Sequence, residues 1–174
     1  MYFYPDALRE MLFEHSTTAL VIVNIFLLSI TAAYAFCSFK ILEFYKEKDK
    51  KDLTLELISK WTDKEMITSS RKILEGSKIL NPQKFFPPQN EIDKNIKISI
   101  IQVSNYFEIL GIYYKNSEID KNLIDEFFGY IIPHLWEILE PFVLKAREEH
   151  RHLLFENFEY LKNEINNLKE RSRK

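Results

Sequence analysis

Residues 16–39 read STTALVIVNIFLLSITAAYAFCSF, 24 positions without a charged side chain. As an α-helix rising ~1.5 Å per residue, this run spans roughly 36 Å, against a bilayer hydrocarbon core of about 30 Å. Its flanks suit an anchor. Tyr2, Phe3, Tyr4 and Phe13 precede it, and Tyr34, Phe36, Phe39, Phe44 and Tyr45 lie at or beyond its end. Aromatic side chains at both edges match the interfacial belts of membrane helices. The lysines set the direction. Before the run the only basic residue is Arg9, beside Asp6, Glu10 and Glu14, whereas Lys40, Lys46, Lys48, Lys50 and Lys51 follow it. The positive-inside rule therefore predicts an N-terminus outside and a C-terminal domain in the cytoplasm, with the lysines near anionic headgroups.

Three other readings fit this run less well. A cleaved signal peptide would use Ala33-Tyr34-Ala35 as a small-x-small site, but the leading region is acidic and the trailing lysines oppose export. A lipoprotein signal would want Leu, not Tyr34, three before Cys37. A buried core helix of a soluble protein is seldom uncharged for this long. Asn24 is the most polar side chain in the span and a candidate hydrogen-bonding contact to a partner helix. Ser29 and Ala33 make a small-xxx-small pair, a spacing that arises often by chance.

Beyond the run the chain reads as helices. Leu53, Leu57 and Trp61 mark one apolar face. Thr62-x-x-Glu65 has the form of a capping box, predicting a helix start at Thr62 and a stop near Gly76. Residues 81–89, NPQKFFPPQ, are the clearest loop, and Phe85 and Phe86 within it are candidate partner contacts. Ile92, Ile96, Ile100, Val103, Phe107, Leu110 and Tyr114 predict a helix over 91–113. A short helix over 120–130 follows. Another begins around Pro133 and runs to about 151, with a kink expected at the interior Pro141. Phe155, Phe158, Leu161, Ile165 and Leu168 form the apolar stripe of the last helix, and the charged tail 169–174 is expected to fray. No strand alternation or internal repeat is visible. The expected fold is all-α: a short extracytoplasmic N-terminus (1–15), a transmembrane helix (16–39), a juxtamembrane helix (40–61), a helical bundle (62–168) and a charged tail (169–174).

Composition narrows the function classes. The 174 residues are 46% hydrophobic and 29% charged, with three glycines, which is globular and not disordered. A net charge of -2, with Arg147, Arg151, Lys169 and Arg171 interleaved with glutamates, argues against a nucleic-acid groove. The single cysteine, Cys37, allows neither an intrachain disulfide nor a cysteine metal cluster. No P-loop or Ser-His-Asp order is available, and no cofactor is expected. His150 and His152 are two apart and point to different sides of a helix, so no metal site is expected there.

Asn105-Tyr106-Phe107-Glu108, Gly111, Trp136, Pro141, Arg147 and Phe155-Glu156-Asn157-Phe158-Glu159-Tyr160-Leu161 carry a resemblance. Together they resemble a family of short bacterial single-pass membrane proteins whose all-helical cytoplasmic domain has no known function. The resemblance implies a membrane-anchored all-α domain at the bacterial inner membrane and no particular reaction. Glu108 sits on a mostly apolar helix, where an unpaired carboxylate is costly, and Arg147 is its natural partner; the expectation is a structural Glu108–Arg147 pair. The expected function is a membrane-tethered binding or regulatory module, holding a protein partner or self-associating, or serving as an accessory subunit of a larger membrane complex. The alternative rests on Arg147 and His152, whose Arg-x4-His spacing resembles that of the HEPN ribonucleases of toxin and defence systems. There a cationic clamp and a group titrating near neutrality would cleave a phosphodiester. The Glu148 that follows Arg147 would repel phosphate.

Overall fold

The computed structural model describes residues 6–76, 90–149 and 153–171. Phe85, Phe86 and His152 lie outside the described residues. Among those described there are six helices and no strand: α1 (Asp6–Thr62), α2 (Lys64–Gly76), α3 (Glu91–Lys115), α4 (Lys121–Phe128), α5 (Ile131–Glu149) and α6 (Glu156–Arg171). The chain divides into two compact units, Met1–Glu47 and Lys48–Lys174.

In the first unit, every large apolar side chain of α1 from Leu20 to Tyr45 is exposed. The Ser29 and Thr31 hydroxyls donate to the Ile25 and Leu27 carbonyls one turn back, at 2.9 and 2.8 Å. Leu20–Thr62 is the one stretch among the described residues that is long and apolar enough to cross a membrane.

The second unit starts earlier than the expected boundary at residue 62. Thr54, Leu57 and Trp61 are buried in its core, so the C-terminal end of α1 is a structural helix of the bundle. Aromatic rings gather where the helices meet. Trp61 lies 5.0 Å from Phe107, Phe107 lies 5.8 Å from Phe128 and stacks on Phe158 at 4.9 Å, and Trp136 meets Phe158 edge-on at 5.0 Å. These rings come from α1, α3, α4, α5 and α6. Ile73 of α2 joins the same core fully buried. Burying a ring of this size contributes ~3 kcal/mol, so the cluster is the main source of cohesion.

Polar contacts fix the register of α1 on the bundle. The Tyr106 hydroxyl donates to the Leu57 carbonyl at 2.7 Å, and burial pushes that phenol's pKa up. The Tyr114 hydroxyl contacts the Asp125 carboxylate at 3.3 Å; burial raises both pKa values, and the neighbouring carboxylate raises that of Tyr114 further. Thr54 is fully buried, donates to the Lys50 carbonyl at 2.6 Å and accepts from the Asp120 N–H at 2.8 Å. Thr54→Val keeps the shape but leaves that N–H unsatisfied. It is expected to cost about 2 kcal/mol, measurable by denaturant unfolding of the full chain.

Several boundaries differ from expectation. Thr62 does not open α2: it is the last residue of α1, its hydroxyl donates to Ser59, and the first backbone acceptor of α2 is Asp63. Asn90 caps α3 through its side chain, which accepts from the Asp93 N–H at 2.8 Å. Asp120 does the same for α4. Pro141 lies inside α5, which is helical from Ile131 to Glu149. Pro141 and Glu137, whose carbonyl loses its donor, both sit on the exposed face, where the unpaired carbonyl is open to solvent. Helix α6 continues to Arg171, into the tail expected to fray.

Candidate functional site

Two of the residues singled out from the sequence, Glu108 and Arg147, converge on the start of α6. Phe155 occupies the N-cap position, since its carbonyl accepts from the Glu159 N–H at 3.2 Å. Its φ of 59° is left-handed, and its side chain is buried in the core. A phenyl ring offers no acceptor, so the first N–H groups of α6 need one from elsewhere. Glu108, on α3, supplies it. One carboxylate oxygen accepts from the backbone N–H groups of Asn157 and Phe158 at 3.0 and 2.9 Å; the other accepts from the Asn157 side-chain amide at 2.7 Å. A carboxylate at this position also meets the positive end of the helix dipole.

Arg147, on α5, holds the other side of the same joint. Its Nε donates to the Leu154 carbonyl at 2.8 Å, and Nη1 pairs with Glu159 at 2.9 Å, with the side chain 16% exposed. The remaining Nη2 is buried with no hydrogen-bond partner. Glu108 and Arg147 therefore do not pair with each other, contrary to expectation: each is engaged by α6 and the residues just before it. Gly111, one turn beyond Glu108, lets α3 approach α6 closely, because a Cβ there would fall inside contact distance of the Asn157 carbonyl. Trp136 packs on Phe158 and donates from Nε1 to Glu140 at 3.1 Å.

Together these contacts make a joint between helices: Arg147 Nε and Nη1 are directed at a carbonyl and a carboxylate of the protein, and the carboxylate of Glu108 is taken up by three donors. Among the described residues, no group of three His, Cys, Asp or Glu side chains is placed to hold a metal.

A family described as a domain of unknown function (DUF4760) matches residues 22–165. The chain belongs to this family. The DUF4760 match begins inside the apolar run of α1 and ends at Ile165, a buried residue of α6. It thus takes in most of the apolar run together with Glu108, Gly111 and Arg147. No curated protein and no solved structure shows significant similarity to the chain.

One surface was missed from the sequence. Ile98, Ile101, Ile109 and Ile112 are all exposed, and with Asn105 they form a single stripe along α3. Their side chains face away from the core positions Val103, Phe107 and Leu110. Beside the stripe, a groove of about 460 Å³ runs between α2 and α3, lined by Lys64, Thr68, Lys72, Asn95, Ile98 and Gln102 among others. Helical spacing alone did not separate these isoleucines from the buried ones, because α3 is apolar around much of its circumference.

Proposed function

We propose that this DUF4760 chain is a membrane-anchored helical module acting through protein–protein contact at the cytoplasmic face of a bacterial inner membrane. The observation that carries the reading is the unbroken exposure of large apolar side chains on α1 from Leu20 to Tyr45. A surface of that extent is costly to leave in water, and its length matches the hydrocarbon thickness of a bilayer. Lys46, Lys48, Lys50 and Lys51 beyond it, against a lone Arg9 before it, favour an N-terminus outside and the second unit in the cytoplasm. The exposed isoleucines of α3, Ile98, Ile101, Ile109 and Ile112, support the second half of the proposal, since large apolar side chains gathered on one exposed face favour protein contact.

The test has two arms. The full chain is expected to resist alkaline carbonate extraction, with a reporter fused after Lys174 active only when cytoplasmic. Ile101→Asp with Ile109→Asp is then expected to leave the chain folded and in the membrane while removing proteins that copurify from a mild detergent extract. Carbonate release, or reporter activity only outside the cytoplasm, would overturn the anchor and its direction. An unchanged set of copurifying proteins would overturn the contact face.

A further inference from the structure

We infer that two copies of this chain pair within the bilayer through one face of α1, with each Asn24 hydrogen-bonded to its counterpart. The inference rests on the membrane reading above and adds a partner to it: a second copy.

The face is defined by spacing and chemistry. Asn24, Leu28, Thr31, Ala35, Ser38 and Leu42 follow alternating steps of four and three residues, the repeat of a left-handed helix pair. Asn24, Thr31 and Ser38 fall seven apart, so the polar groups lie on a single line along the helix. The opposite side carries the bulky Ile22, Phe26 and Ile30 and no polar side chain among them.

Hydrogen bonding favours a second copy as the partner. Ser29 and Thr31 return their hydroxyl protons to carbonyls of their own helix. Among the described residues no such bond takes up the Asn24 amide, which has two donor hydrogens and an acceptor oxygen. Hydrocarbon offers neither a donor nor an acceptor. Two copies inserted in the same direction form a parallel pair, and a parallel two-fold pair sets each residue opposite itself. Asparagine is its own complement: each amide donates to the other's oxygen. A different protein would need a matching polar group at the same depth, whereas a second copy supplies it automatically. Thr31 and Ser38 then meet their counterparts along the same seam, and Ala35 allows the backbones to come close.

The native cysteine makes the test clean. Cys37 is exposed and precedes Ser38 by one residue, about 100° round the helix and off the seam. The full chain is placed in vesicles of bacterial lipid and oxidised with copper phenanthroline, once as wild type and once as Ser38→Cys combined with Cys37→Ser. The seam variant is expected to give a disulfide-linked species of twice the chain mass, and the wild type far less. Adding Asn24→Leu is expected to weaken dimerisation about tenfold, while the chain stays resistant to carbonate. Equal cross-linking at both positions, no effect of Asn24→Leu, or a product of another mass in native membranes would each overturn pairing through this face. If carbonate extracts the wild-type chain, the membrane reading fails and takes the seam with it. Resistance without cross-linking removes the seam alone.

Discussion

Replacing Glu108 with alanine is expected to lower the unfolding temperature of the full chain in nanodiscs by about 10 °C. The carboxylate takes two backbone N–H groups at the start of α6 and the side-chain amide of Asn157. Loss of an N-cap costs ~1 kcal/mol, and hydrogen bonds to a charged group contribute about 1.5–3 kcal/mol each, although not additively. A total near 3 kcal/mol corresponds to about 10 °C for a unit of this size. The effect is large because α6 has no cap of its own: Phe155 turns its ring into the core and offers no acceptor. Two further variants separate capping from simple loss of volume. Glu108→Gln keeps one acceptor oxygen and is expected to lose about a third as much. Glu108→Asp is one methylene too short to reach α6 and is expected to resemble alanine. A glutamine variant as unstable as alanine, beside an aspartate variant like wild type, would mean that charge alone matters and that the cap geometry is wrong.

The apolar run and the core stripes were legible because both are properties of side-chain pattern. Residues 16–39 announce themselves by lacking charge, and Val103, Phe107, Leu110, Phe158, Leu161 and Ile165 by three-four spacing; all six are buried. The partner of Glu108 was hidden for a physical reason. Reasoning from side chains matches a buried carboxylate with the nearest cation, Arg147, but the stronger demand came from backbone donors that no side chain letter records. A signal was present nonetheless. Leu153-Leu154-Phe155 leads into α6 without Ser, Thr, Asp or Asn, and a helix start lacking its own cap calls for an acceptor from another element. The helical composition of the lysine-rich stretch 46–52 allows the membrane helix to continue toward Trp61, and α1 does run unbroken to Thr62. Thr54, Leu57 and Trp61 are buried in the core, because one helix can be charged in one turn and structural in the next. The role of Arg147 depended on where Leu154 and Glu159 would fold, which Arg-x4-His spacing cannot carry.

Gly111→Ala is the second large effect expected, and its sign separates two physical arguments. By helix propensity alone, alanine in the middle of α3 should stabilise by about 1 kcal/mol, since glycine is the costlier residue there. The added Cβ, however, would fall inside contact distance of the Asn157 carbonyl. That carbonyl has little freedom to retreat, because the same residue donates both its backbone N–H and its side-chain amide to Glu108. Relief therefore requires α6 to move away from α3 as a body, which loosens the stack of Phe158 on Phe107 at 4.9 Å and withdraws the two N–H groups from the cap. Overpacking of this kind costs ~1–3 kcal/mol before the lost hydrogen bonds are counted, so a net loss of about 3 kcal/mol or more is expected by denaturant unfolding. The loss should also be coupled to the cap. With Glu108→Ala already present, α6 is free to shift, and the added cost of Gly111→Ala should shrink by about 1–2 kcal/mol in a double-mutant cycle. If alanine instead stabilised the chain, or if the two costs simply added, the close approach of α3 and α6 would not be the constraint that glycine relieves.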